Sequence, residues 1–227
     1  MSKILGVYST ILGGFYAQTE ELANAVAKAK QEAGDDVWKQ GFSGWAPKGA
    51  TKIAKDIFEV AKIAPLKAHG NLLHVGFVEN SDKAGNKYPK LRVSLLSGEQ
   101  EIMLSIDMKS DVAQRLINKL DNCQQGNVIA ISAWPDQVER NGRTYINHAV
   151  SVKRDDGTEV PVNPELGIAI KAKTDAIEPA LKAAGIGDAK VIAAAKINKR
   201  IESYTELLMG IEKRFPVAAQ ATAEAVQ

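Results

Sequence analysis

The chain has 227 residues, with 29 Lys+Arg against 27 Asp+Glu and a formal net charge of +2. That length fits one domain with large additions or two small ones, and 45% hydrophobic with 25% charged residues excludes a globally disordered chain. The near-balance of charge excludes histone-like wholesale neutralisation of nucleic acid but not a local basic groove, which depends on where the charges sit.

A single cysteine, Cys123, rules out an intramolecular disulfide framework and a Cys-rich zinc site. It fits a small buried filler. The apolar stretch from Ile4 to Tyr16 is broken by Ser9, Thr10 and three glycines and is too short to span a bilayer. Lys3 precedes it, but Phe15-Tyr16-Ala17 supplies no small-x-small cleavage site. A cytoplasmic protein (host cytoplasm if phage-encoded) with no membrane contact is therefore expected.

Three zones follow one another along the chain: 1–69, 70–162 and 163–227, carrying +2, −1 and +1. The first reads as an N-terminal helical extension. It has a Gly-containing opening and a helix from Thr19 to Ala33, with Thr19 as N-cap and Gly34 as stop. A Gly-rich loop over residues 40–49 and a helix from Thr51 to Ile63 complete it, ending before Pro65.

In the second zone the period changes to two. Leu73, Val75 and Phe77 alternate, then Leu91, Val93 and Leu95, then Ile102, Leu104, Ile106 and Met108. Ala84-Gly85-Asn86 and Ser97-Gly98 mark the turns. An amphipathic helix over Asp111–Leu120 follows, then strands over Asn127–Trp134 and Arg143–Lys153 joined by a loop with Asn141-Gly142. The third zone reads as a C-terminal helical region, Pro164–Ala184 interrupted near Pro179, then Asp188–Phe215. It ends in a low-complexity Ala/Gln/Thr tail expected to be mobile.

Five strands with a helix between the third and fourth match the chain order of an OB barrel, in which nucleic acid or sugar lies across strands 2 and 3 between flanking loops. The expected fold class is α+β: a five-stranded OB-like β-barrel over residues 70–162 with helical N- and C-terminal extensions.

The second strand is the most informative. With Leu91, Val93 and Leu95 inward, Tyr88, Lys90, Arg92 and Ser94 share the outward face. An aromatic beside two cations is what a single-strand binder needs, the ring stacking a base while the cations follow phosphates. The preceding loop adds Lys83 and Lys87. Across the expected groove, the loop between the last two strands brings Trp134, Arg140, Arg143 and Tyr145. Against this, cations on a strand face are ordinary surface, and Trp134 before Pro135 can simply cap a barrel.

The segments Tyr88-Pro89-Lys90-Leu91-Arg92-Val93, Val128–Pro135 and Arg140–Tyr145 make the middle zone resemble OB-fold single-stranded DNA-binding proteins of the phage type. The resemblance covers 70–162 and implies non-enzymatic coating of single-stranded DNA without strong sequence preference, during replication, recombination or repair. It also implies self-association along the strand and contacts with replication proteins. Many proteins of that family end in a strongly acidic tail, whereas this chain ends Ala221-Thr222-Ala223-Glu224-Ala225-Val226-Gln227. Recruitment through such a tail does not carry over.

Other motifs are weaker. Gly44-Trp45-Ala46-Pro47-Lys48-Gly49-Ala50-Thr51 nears the phosphate-cradling G-x-x-x-x-G-K-[ST], but Ala50 stands where the lysine is needed. Its rings, with Phe42 and Lys48, either extend an aromatic basic surface or pack on the barrel. Leu181–Asp188 resembles a helix-hairpin-helix turn, yet a helix stop at Gly185 and a restart capped by Asp188 is simpler. His69, His74 and His148 lie apart with no metal-ligand spacing. No catalytic constellation, metal site or cofactor is expected. An OB-fold module for protein or RNA, and a structural or assembly protein, stay open as alternatives.

Overall fold

In the computed structural model, residues 2–44, 46–81 and 84–216 are described, the side chains of Arg140, Arg143 and Thr144 excepted. The N-terminal zone contributes strands β1 (Ser2–Tyr8) and β2 (Phe15–Ala17), then helices α1 (Glu20–Ala33), α2 (Asp35–Lys39) and α3 (Ala50–Val60). The middle zone supplies β3 (Ala68–Ser81), β4 (Lys87–Ser97), β5 (Gln100–Asp107), α4 (Asp111–Leu120), β6 (Val128–Arg140) and β7 (Arg143–Arg154). Helices α5 (Pro164–Asp175), α6 (Ile177–Ala183) and α7 (Ala189–Glu212) close the described chain.

The expected five-stranded barrel is not what forms. The molecule is α+β, but its strands make one seven-stranded mixed sheet in the order β2-β1-β5-β4-β3-β6-β7, curved into a half-barrel. β1 runs parallel along β5 with Ser2 opposite Gln100, and the other neighbours are antiparallel. The physical reason lies in residues 2–17, read from sequence as an opening to a helical extension. Tyr8 and Phe15 pair and enter the main core, while Val7 and Tyr16 pair on the opposite face, under Leu22 and Ala25 of α1 and Phe58 of α3. A strand covered on both faces has no polar alternation to reveal it.

The β3–β4–β5 meander carries the densest packing. Leu91, Val93, Leu95 and Leu104 are fully buried, each contributing roughly 1.5–3 kcal/mol relative to exposure. α4 lies against them with Val112, Leu116, Ile117 and Leu120 buried, and its N-cap Ser110 accepts from Ala113 N. β3 meets β6 only from Ala68 to Asn71. Beyond Asn71, α7 reaches that side of β3: Glu212 accepts from Phe77 N at 3.4 Å, and Tyr204, Leu208, Ile211 and Phe215 enter the main core.

Local signals explain the helix ends. Thr19 accepts from Leu22 N at the start of α1, and Asp188 accepts from Lys190 N and Val191 N at the start of α7. The interruption expected near Pro179 falls at Ala176. A proline ring clashes with the carbonyl four residues back, here Asp175, so the helix breaks there and Pro179 sits in the first turn of α6.

The β6–β7 ribbon lies beside the N-terminal hairpin without strand pairing to it. Tyr8 Oη is 2.6 Å from His148 Nδ1, with the rings edge-on at 5.4 Å. Gly13 adopts φ 71° in the β1–β2 turn, where a Cβ would fall 2.2 Å from Pro135. Only glycine permits that approach.

Candidate nucleic-acid interface

Alternation along β4 puts Tyr88, Lys90, Arg92 and Ser94 on the face opposite the buried Leu91, Val93 and Leu95. Tyr88 is exposed, Lys90 and Arg92 are half-buried and Ser94 is buried. Opposite them on β3 stand Asn80, Val78, Gly76 and His74. Lys87 departs from this group. It is the first residue of β4 rather than part of the preceding loop, one position from Tyr88, and so belongs to the other face. There Glu79 accepts from it at 2.7 Å, which raises its pKa above the ordinary lysine value.

The charges on this face are largely compensated. Lys90 Nζ is 3.3 Å from Asp107, and Lys3 Nζ is 2.9 Å from Glu101. Burial penalises the Glu101 carboxylate, yet hydrogen bonds from Lys3 and Ser94 outweigh that and hold its pKa below the usual range.

Arg92 differs from its neighbours. Its Nη1 donates to Met103 Sδ at 3.3 Å, a weak acceptor, and its buried Nε has no partner. The register partner of Arg92, Gly76, leaves room that a Cβ would close. It would lie 2.4 Å from His74 Nε2 and 2.6 Å from Glu212 Oε1, the pair that is itself 3.7 Å apart. No local pattern in the sequence could have signalled that Glu212 approaches Gly76 and His74, because the α7 residue is more than a hundred positions away.

Trp134 and Tyr145 share the outward face of the β6–β7 ribbon, since Trp134 pairs with Ala149 and Tyr145 with Val138. Four residues separate the two levels, about 13 Å at strand rise. Their rings are 45% and 47% exposed, too open for a buried cap. On the ribbon's inner face, Pro135 and Gln137 turn toward a cavity of about 760 Å³ shared with Tyr16, Phe42 and Phe58. Arg140 and Arg143 pair at the ribbon's end, with their side chains outside the described residues, as are Lys83 and Trp45.

The structure therefore places Tyr88, Lys90 and Arg92 in one group and Trp134 and Tyr145 in another, with Lys87 on the opposite face of β4 and the Arg140 and Arg143 side chains outside the described residues. Tyr88, Lys90 and Arg92 lie opposite β3 residues 76–80. β6 pairs with β3 only at 68–71 and runs the other way, so Trp134 lies beyond Ala68. Measured along β3, Asn80 to Ala68 is a contour of about 40 Å. The two groups thus stand on different strand pairs, β3–β4 and β6–β7.

The weaker motifs have structural roles. Thr51 in the near-P-loop is buried, its hydroxyl accepting from Ser43 N and donating to Ile11 O. At the Leu181–Asp188 turn, Ile186 N donates to Leu181 O while the Asp188 carboxylate already fills the start of α7. No group of three or more His, Cys, Asp or Glu suited to a metal ion occurs among the described residues. No helix among them is long and apolar enough to cross a membrane. Compared with family models, curated proteins and solved structures, the chain matches none.

Proposed function

We propose that the protein binds single-stranded DNA with little sequence preference, coating it during replication, recombination or repair without catalysing a reaction. The observation that carries this reading is Arg92: a half-buried guanidinium with an orphaned N–H, in one stripe with Lys90 and the exposed ring of Tyr88. A phosphate supplies the acceptor that Met103 does not, and a base stacks on the ring. Trp134 and Tyr145 add stacking surfaces on the ribbon. Stacking contributes more than charge, because Lys90 and Lys87 already have acid partners.

Self-association along the strand and contacts with replication proteins belong to the same proposal, in the cytoplasm of a cell or of a phage host. A protein-docking role is the second reading. It is favoured by the compensated charge of the β4–β5 face together with the exposed Trp134 and Tyr145.

A salt titration of binding to oligo-dT, single-stranded RNA and duplex DNA distinguishes them. A single-strand binder weakens with salt at a slope of about −0.7 per phosphate contact and prefers oligo-dT to duplex. Equal binding of single strand and duplex, or none at low salt, removes the proposal.

A further inference from the structure

Helices α4, α5 and α7 meet around a cavity of about 430 Å³ that no residue of the β4 stripe touches. Its lining includes buried polar side chains, two of which already donate to backbone, Gln114 Nε2 to Met108 O and Thr174 Oγ1 to Ile170 O. Gln114 of α4, Thr174 of α5 and Tyr204 of α7 are each more than nine-tenths buried. Lys196, Arg200 and Tyr204 follow one another at four-residue spacing and share one face of α7.

The cations there are unequal. Lys196 lies 3.5 Å from both Asp175 and Glu178, and Lys171 pairs with Asp175. Arg200 has no ion pair among the described residues, and its Nε is buried without a hydrogen-bond partner. A buried donor on a cation costs free energy until an acceptor reaches it, and an anion is the strongest acceptor. Tyr204 Oη is 3.3 Å from Asn118 Nδ2 of α4 and carries a hydroxyl able both to accept and to donate.

The remaining wall is mixed: Asp175 lines it with its charge held by Lys171 and Lys196, beside an apolar portion. Ile170 and Ile197 form that portion, and Gly167, in the first turn of α5, has nothing within 4 Å of where a Cβ would stand. A guanidinium fork fits a phosphate bidentately, and the volume leaves room for a compact organic body beyond it.

We propose that this cavity is a binding site for a small phosphomonoester, its phosphate held by Arg200 and Tyr204 and its organic part resting on Ile170, Ile197 and Gly167. The site is independent of the β4 stripe, so it stands or falls apart from the single-strand reading.

The test uses the full chain at constant ionic strength, with chloride as the matched salt. Inorganic phosphate and glycerol 3-phosphate are titrated by calorimetry and by thermal melting. Both raise the melting temperature of the wild type, the ester binding about tenfold more tightly than phosphate. Arg200→Gln weakens both about tenfold or more. Arg200→Lys keeps the charge without the fork and weakens them less, which serves if the first variant does not fold. Three results overturn the proposal: a wild type unmoved by either probe, equal affinity for phosphate and ester, or Arg200 variants that bind as well as the wild type.

Discussion

Tyr8 Oη and His148 Nδ1 lie 2.6 Å apart and join β1 to β7, two strands that are not neighbours in the sheet. Burial raises the phenol's pKa and lowers that of the imidazole, so a protonated Tyr8 donates to a neutral His148. Asp111 opposes the imidazole's shift and Arg115 reinforces it. Replacing Tyr8 by Phe leaves a part-buried nitrogen without its donor and destabilises the fold by about 1–3 kcal/mol, read from urea unfolding.

The same pair sets a pH dependence. His148 titrates lower in the folded than in the unfolded chain, so the unfolded state binds more protons between the two values. Stability from this group is complete above about 6.5 and falls as pH drops toward the lowered folded value, then levels. Unfolding of wild type and His148→Gln between pH 5 and 8 should differ in that window, with the variant flatter; parallel curves refute the assignment.

Nucleic-acid binding should separate rings from cations. Tyr88→Ala and Trp134→Ala each cost roughly 1–3 kcal/mol of oligo-dT affinity while leaving the salt slope nearly unchanged. Arg92→Gln reduces the slope by about 0.7. Lys87→Gln, on the opposite face beside Glu79, should change neither quantity appreciably.

Asp107 competes with phosphate for Lys90. Asp107→Asn keeps an oxygen for Lys109 N and costs under about 1 kcal/mol of stability, because the pair is partly exposed. Oligo-dT binding should tighten, with a steeper salt dependence. A weaker complex means that Lys90 is held for structure rather than for the strand.

Glu159 anchors the end of the ribbon to α4. Its carboxylate is 2.5 Å from Lys119 Nζ and accepts from Ser151 Oγ and Val152 N. Burial opposes its charge, but these bonds prevail and hold its pKa below the usual value. Glu159→Gln removes the charge opposite Lys119, which keeps Val160 O at 3.2 Å, and should cost about 1–3 kcal/mol. The loss stays below that of a fully buried pair because the Glu159 side chain is 43% exposed. In the wild type this contribution is present above about 4.5 and declines as pH falls through the lowered folded pKa, measurable by acid unfolding.

What could be read from sequence was what one strand or helix determines by itself. The stripe Tyr88, Lys90, Arg92 follows from alternation, α4 from its apolar face, and the starts of α1 and α7 from Thr19 and Asp188. Lys87, expected in the preceding loop, is the first residue of β4, and its odd parity with Tyr88 puts it on the other face. The barrel was wrong for a different reason. Which strand lies beside β5 is a matter of partners distant in the chain, and Ile4, Leu5, Val7 and Tyr8 carry apolar groups on both faces. The orphaned Nε of Arg92, like that of Arg200, depends on what three separate elements leave unfilled, which no local pattern records.

The parallel seam between β1 and β5 also orders events in time. Ser2 finds its parallel neighbour at Gln100, so during synthesis β1 has only β2 beside it until about a hundred further residues have been made. Until then its two apolar faces need shelter, and the β1–β2 hairpin under α1 and α3 covers only one of them. Placing the other face coincides with completion of the meander. The β1–β5 pairing is thus a contact of high sequence separation, the kind of closure that slows folding.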